Sequence, residues 1–469
     1  MMPRPQSEFL VATFSSIQFW TTIVVLVLAP LFFGSVDLFW VAVWTILLSV
    51  SALCGAAVPM GAGQSRILFG FLALCGLYAL VAIIQITPHL VDQLNDPSWQ
   101  RANDLLGLNA SPRISSRAEI PPLAVGHFLL FATSFISGFF IGTSRDNSDR
   151  LISFAQYSIL LYVIYGLVAL ILTPNMVLWA PKLAYRGSLT ATFINHNTAA
   201  TFVGAGAILW FCSAFSALQQ SFRFSSIRVL LLTRANEHLA FRIILRSTGA
   251  LTCFFALLLT HSRGGLICSC LGLLVAITLM ATNSKKPRSR YMVVWGGAAL
   301  AVTIAWLSGM GRIGSQGLFD DARWSVYGFC VEAIRQRPLL GAGAGTFEDM
   351  FPSLRTADFY SGGVWDYAHS TILEIAVEMG LPVAAMVVIA ALVSLLILAR
   401  GAITSEGRTR RSLAAIAGIA VLSYLHSMID FSLQIPGYLV LFGILLGCGL
   451  ARASDIPTAI GAGRSHALA

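Results

Sequence analysis

Charge is scarce in this chain. Only 11% of its 469 residues are Asp, Glu, Lys or Arg, against roughly 25% in soluble domains, too little to cover a water-facing surface. The scarcity is patterned. Twelve stretches of 16 residues or more hold no charged residue: 9–36, 38–65, 67–91, 120–144, 151–181, 187–222, 247–262, 264–284, 291–311, 379–399, 412–429 and 431–451. A helix crossing the hydrocarbon core needs about 20 apolar residues, whereas a membrane barrel is written in short alternating segments. These absences exclude a soluble enzyme, a nucleic-acid binder and a porin. A disulfide framework is missing too. Of the eight cysteines, Cys330 alone lies outside the apolar runs, and Cys268 and Cys270, one residue apart on a helix, point in different directions. What is present, 57% hydrophobic residues in long runs, predicts an all-α, polytopic membrane protein with about 12 transmembrane helices.

The net charge of +9 acquires meaning only when sorted by side. With the N-terminus inside and each run crossing once, the short cytoplasmic connections carry most of the basic residues, as the positive-inside rule requires. Both termini are then cytoplasmic. The first run follows only Arg4, reaches 28 residues and lacks an A-x-A site, so it reads as an uncleaved helix rather than a signal peptide. Three parts result. Residues 1–174 hold helices 1–5 and an outer loop, 88–119, expected to form an interfacial helix with Trp99 at headgroup depth. Residues 175–452 form a second membrane region with one large periplasmic loop, 312–370. Residues 453–469 are a polar cytoplasmic tail. On the inner side Arg223, Arg228, Arg234, Arg242 and Arg246, spaced among apolar residues, read as a basic helix on anionic lipid. In the large outer loop, Asp321 to Arg337 reads as an amphipathic helix stopped by Pro338. The run Gly341 to Gly345 reads as a flexible turn, since no strand precedes it as a nucleotide loop would require.

Ionisable residues at the edge of the lipid are the first functional candidates. Arg186 opens a polar stretch before a helix. Arg263 is the only charge between two apolar runs. Arg323 follows Asp320 and Asp321, and His369 leads into Glu374 and Glu378. All fall on the outer face of this topology. Guanidinium groups grip phosphate bidentately at any relevant pH, and a histidine takes a proton near neutrality. The set suits a clamp on a diphosphate leaving group while His369 deprotonates an incoming hydroxyl. No Asp/His cluster has metal-ligand spacing, so the arginines would stand in for a metal. Singly, each residue has a structural reading. Arg263 marks a hairpin tip, Arg186 snorkels, Arg323 pairs with a neighbouring aspartate and His369 caps a helix. Glu374 and Glu378 sit on a solvated helix start, and His426 with Asp430 supports a turn. Together they point to chemistry.

The order of these elements resembles the O-antigen ligase and polymerase (Wzy-type) superfamily. The matching pieces are Arg186-Gly-Ser…Thr192-Phe-Ile-Asn195-His196-Asn197, Ser262-Arg263-Gly-Gly and Arg323-Trp…Pro338-Leu-Leu-Gly341-Ala-Gly-Ala-Gly345-Thr-Phe347. They continue with Ala368-His369-Ser370…Leu373…Glu378-Met-Gly380 and Asp430-Phe-Ser-Leu. The likeness covers about residues 183–450. It implies transfer of a glycan from undecaprenyl diphosphate to an acceptor hydroxyl, on lipid A–core or a growing polysaccharide, at the periplasmic face of a bacterial inner membrane. It also implies an inverting, metal-independent reaction without a cofactor. By position, diphosphate binding falls on Arg186, Arg263 and Arg323, the base is His369, and Glu374, Glu378 and Asp430 are candidates for the acceptor side. Where the family commonly has Asn and Gln, this chain has Ser370 and Glu374. Twelve helices with both ends inside is also the layout of secondary transporters and flippase-type proteins. Those usually show internal repeats and midplane ionisable residues, and neither is seen here.

Overall fold

The computed structural model describes residues 4–221, 237–282, 297, 321–355 and 365–454. Within them the architecture is all-α apart from a two-stranded hairpin, Met176–Val177 against Ala180–Pro181. The first six helices are α1 (Arg4–Leu28), α2 (Leu38–Gly55), α3 (Ala62–Ile86), α4 (Pro97–Leu106), α5 (Pro122–Gly142) and α6 (Arg145–Leu172). Then come α7 (His196–Ser221), α8 (Glu237–Leu259), α9 (Arg263–Ala281), α10 (Asp321–Gln336) and α11 (Phe347–Leu354). The chain ends in α12 (Thr371–Met379), α13 (Leu381–Thr404), α14 (Gly407–Ser427) and α15 (Pro436–Ser454).

Among the described residues, 10 helices are long and apolar enough to cross a membrane: α1, α2, α3, α5, α6, α7, α8, α9, α13 and α15. This is a multi-pass membrane protein. The twelve expected runs are accounted for as follows. Ten correspond to these helices, and the run 291–311, apart from Gly297, lies outside the described residues. The run 412–429 falls on α14, which is long enough but less apolar, because it opens on Arg408, Arg410 and Arg411 and is otherwise rich in Ala, Gly and Ser. That composition is tolerated because α14 is buried along most of its length. The expected basic helix is described only from Glu237 onward, where Arg242 and Arg246 lie on α8. Arg223, Arg228 and Arg234, and the tail beyond Ser454, are outside the described residues.

The bundle is built around α15, buried nearly end to end. Lipid tails are as apolar as leucine, so packing between membrane helices relies on small residues that let backbones approach. A Cβ added at Gly138 would lie 2.1 Å from the Ile444 carbonyl oxygen, and one at Gly447 would lie 2.1 Å from that of Phe135. The α5–α15 contact is therefore backbone against backbone. The α9–α14 contact repeats the device with Gly272 and Gly418, each facing the other's carbonyl. The N-terminal helices attach through a tight turn after α1. The Pro30 carbonyl accepts from Thr192 Oγ1 at 2.6 Å, and the Gly34 carbonyl accepts from the Gly437 N–H at 2.8 Å.

Gly447→Val is expected to lower stability by about 1–3 kcal/mol through overpacking. Gly70→Val, on a face where nothing lies within 4 Å, is expected to melt like the parent. Heating detergent-solubilised protein and following the remaining monodisperse fraction checks both. A normal melting profile for Gly447→Val refutes the close-packed interface.

Candidate functional site

The turn joining α14 to α15 carries the most constrained carboxylate in the chain. Asp430 is 1% exposed. Its Oδ1 accepts from the Phe431 N–H at 2.9 Å, and its Oδ2 accepts from Asn197 Nδ2 at 2.7 Å. Arg323 Nη2 lies 3.6 Å and His369 Nδ1 3.8 Å from the same Oδ2. Burial by itself would raise the pKa of such a group. The facing His369, His426 and Arg323 outweigh it and hold the carboxyl at about 2, so it is ionised. His426 does not form the expected pair with Asp430. Its Nδ1 instead meets Thr201 Oγ1 at 3.0 Å and Ser432 Oγ at 3.1 Å.

His369 faces Asp430 from a backbone conformation that L-residues avoid, with φ of 53°. Residues held there are over-determined by their surroundings. Tyr327 donates its hydroxyl to the His369 carbonyl at 2.9 Å, and the preceding Ala368 N–H is fixed to Glu374 Oε2 at 2.7 Å. The following Ser370 caps α12. The imidazole stands edge-on to Trp365 and Phe431, with centroids 5.0 and 4.8 Å away, and Tyr367 stacks on Phe431. Among the described residues the His369 Nδ1 makes no hydrogen bond. A spacing of 3.8 Å to an ionised aspartate suits a catalytic pair that tightens only when substrate arrives.

The three arginines are placed unequally. Arg323, near the start of α10, reaches the Asp430 turn directly and donates to the Ile429 carbonyl at 2.9 Å. Arg263 is the first residue of α9, half-buried. Its neighbour Ser262 donates to Asn197 Oδ1 at 2.7 Å, and Asn197 in turn holds Asp430. Arg186 is exposed on the strap before α7, where its Nε donates to the Lys182 carbonyl at 3.3 Å. That strap is fastened to the α8–α9 turn by the Leu189 N–H bonding the Leu259 carbonyl and by Ser188 meeting His261 at 3.2 Å. The structure thus brings Arg323, His369 and Asp430 together, and links Arg263 and Arg186 to them through neighbouring residues. Asn197 and Ser262 stood only as members of motif stretches in the sequence. Their role as bridges had no local signal.

Glu374 and Glu378 are not on a solvated helix start. They are 6% and 9% exposed, because α12 packs beneath the neighbouring loop segments instead of facing water. Besides Ala368, Glu374 accepts from Gln434 Nε2 at 2.6 Å, and Glu378 accepts from the Phe347 N–H at 3.0 Å. The Gly341–Gly345 run is likewise not a flexible turn. Gln85, at the end of α3, donates to the carbonyls of Leu340 and Glu378 and accepts from the Ala344 N–H. Gly341 has φ of 65°, and a Cβ there would lie 2.4 Å from the Glu378 carbonyl, so glycine is required for close approach. The loop after α3 covers this knot with two ion pairs, Asp96 with Arg337 and Arg117 with Asp349. Its helix α4 forms as expected, with Trp99 donating to the Ser115 carbonyl at 2.8 Å. Among the described residues no three His, Cys, Asp or Glu side chains gather as metal ligands.

Beside the site a groove of about 1780 Å³ runs between α3 and α13. Tyr367, Glu374 and Gln434 line one end and Arg66, Arg400 and Ser454 the other, with aliphatic and aromatic residues between. It spans the depth of the bundle.

Residues 248–388 match the model of the Wzy_C family, O-Antigen ligase. Over this segment the chain is similar to the O-antigen ligase family, as the motif order implied, and the segment lies in a multi-pass membrane protein. Members of this family carry out ligase- or polymerase-type glycan transfer. Arg263, Arg323, His369, Glu374 and Glu378 fall within the matched segment, whereas Arg186, Asn197 and Asp430 lie outside it. No curated protein matches the chain.

Burial raises the pKa of both α12 glutamates, that of Glu378 to about 7. A carboxyl whose pKa is higher in the folded chain than in the unfolded one withdraws stability as pH climbs between the two values. Thermal stability is expected to fall as pH rises from about 4.5 to about 7, and Glu378→Gln is expected to flatten that slope. Melting temperatures across the interval check it. A slope of parental size in the variant sinks the assignment.

Proposed function

We propose that this protein transfers a glycan from a polyprenyl-diphosphate carrier to an acceptor hydroxyl, with His369 as the base. The observation that carries this reading is the convergence of His369 and Arg323 on the buried, ionised Asp430 beside an O-antigen ligase domain match. The acceptor oxygen attacks the anomeric carbon as its proton passes to His369. The bond from that carbon to the diphosphate oxygen breaks, the electron pair leaves with the diphosphate, and configuration inverts. Asp430 orients the imidazole and stabilises the imidazolium that forms. This is the division of labour between base and carboxylate in hydrolase triads.

Arg186, Arg263 and Arg323 supply positive charge where the leaving group gains negative charge. The Arg323–Asp430 contact, at 3.6 Å, is long for an ion pair, and phosphate oxygens suit the guanidinium fork better. Trp365, Tyr367 and Phe431 provide flat faces for a sugar ring. The groove between α3 and α13 gives a lipid-linked substrate a lateral seat whose outer end adjoins this box. Glu374 and Glu378 serve by holding backbone, Glu374 next to the base and Glu378 in the glycine knot. The sorting of basic residues by side supports a site on the periplasmic face of a bacterial inner membrane. Lipid A–core and a growing polysaccharide are the two acceptors that fit.

His369→Ala is expected to abolish transfer while the protein still accumulates in the membrane; retained activity overturns the base assignment. Arg263→Lys is expected to lose activity ~10²-fold, because a point charge does not reproduce the fork. Parental activity there places the clamp elsewhere. The electrophoretic profile of surface polysaccharide from a deletion strain and its complements reads both. Lipid-linked long chains that never reach the core identify a ligase. Loss of long chains with single repeats still attached identifies a polymerase, and an unchanged profile removes the glycan reading.

A further inference from the structure

The end of the bundle opposite His369 holds a second concentration of charge. Ser427 and Pro436 flank the Asp430 turn, whereas Gly407 and Ser454 stand at the far ends of helices of 21 and 19 residues, about 30 Å away. There α14 opens on Arg408, Arg410 and Arg411 with no acid in its first turn. The positive end of a helix dipole normally draws acids, and here it is loaded with arginine.

Other helices add to the excess. Arg411 is half-buried and makes no hydrogen bond among the described residues. It shares its electrostatic surroundings with Arg408, with Arg246 of α8 and Arg452 of α15, and with one acid, Asp149 of α6. Arg246 donates to the Ser213 carbonyl at 3.3 Å. Arg452, only 5% exposed, pairs with Asp149 at 3.2 Å and donates to the Arg145 carbonyl and Thr409 Oγ1. Among the described residues its Nε nevertheless has no hydrogen-bond partner, and neither does Nη2 of Arg410. A small polar pocket of about 20 Å³ lies between Arg411, Asp149, Ser153, Gln156 and Ser213. The remaining acids close in sequence, Asp146 and Glu406, are exposed.

The positive-inside rule is met by arginines in exposed connections. It does not require several to be gathered, partly buried, from three helices around one carboxylate that is already paired. Like charges so gathered repel, and a bound anion offsets that repulsion. We infer that this end of the bundle binds the phosphate of an anionic membrane lipid. Basic pockets between transmembrane helices on the inner side take such headgroups, and guanidinium forks match their oxygens. Arg411 and Arg246 hold the phosphate, Arg408 stands at the rim, and Arg452 keeps Asp149 from repelling it.

The test uses the purified full-length chain in detergent, titrated with phosphatidylglycerol, phosphatidylcholine or inorganic phosphate while its melting temperature is followed. Phosphatidylglycerol is expected to reach half-maximal stabilisation at about tenfold lower concentration than phosphatidylcholine. The double variant Arg246→Gln with Arg411→Gln is expected to erase that preference. The double lysine variant at the same positions, which keeps both charges, is expected to retain it and so separates a binding defect from a folding defect. Arg101→Gln, on exposed α4, is expected to behave like the parent. Equal responses to the two lipids, or an unchanged preference in the glutamine variant, overturn the site. Stabilisation by inorganic phosphate at concentrations as low as phosphatidylglycerol overturns the lipid assignment.

Discussion

A carboxylate buried inside a membrane bundle is expensive unless every lone pair is answered, and Asp430 imposes that condition on its surroundings. It draws Asn197 from the start of α7, Arg323 from α10, His369 from the loop before α12 and its own following amide. Asn197 in turn engages Ser262, beside Arg263. Four segments distant in sequence are thereby held around one charge. His369 faces an ionised partner, and the arginines lie toward the same end of the bundle.

The glutamates of α12 do the same work one layer away. Glu374 ties the residue before His369 to Gln434 in the α14–α15 connection, and Glu378 ties α12 to the start of α11. Gln85 closes the arrangement from α3 by bonding backbone atoms on both sides of the glycine run. This gives the N-terminal helices a definite task. Through Gln85, through the Pro30 carbonyl that holds Thr192, and through the Gly34 carbonyl that holds Gly437, they brace the segments that carry the site. The strained His369 backbone follows from that bracing, because such a conformation persists only where its surroundings over-determine it.

The two ends of the bundle use arginine differently. At the His369 end, arginine is set against a buried carboxylate. At the opposite end it exceeds the acids around it and is partly buried. Between them the bundle offers a lipid-deep groove on one flank and close backbone packing along α15. The small residues that make α14 look weakly apolar are the ones that let it pack against α9.

Long apolar runs, their spacing and the order of the Arg186, Arg263, Arg323 and His369 motifs were legible in the chain by itself, because membrane insertion acts on each segment locally and a motif is a string of neighbours. The multi-pass helical class and the likeness to the O-antigen ligase family follow from those alone. The burial of Glu374 and Glu378 was not legible. A pair of acids four apart on a short helix looks the same in sequence whether it faces water or the underside of a loop. Nor was the rigidity of the Gly341–Gly345 run, which depends on Gln85, more than 250 positions away in the chain. The partnership of Asn197 with Asp430 spans 233 positions. Hydropathy determines which segments enter the bilayer. Which buried charge meets which donor is decided only when the helices pack, because satisfaction of a polar group is a property of its neighbours in space.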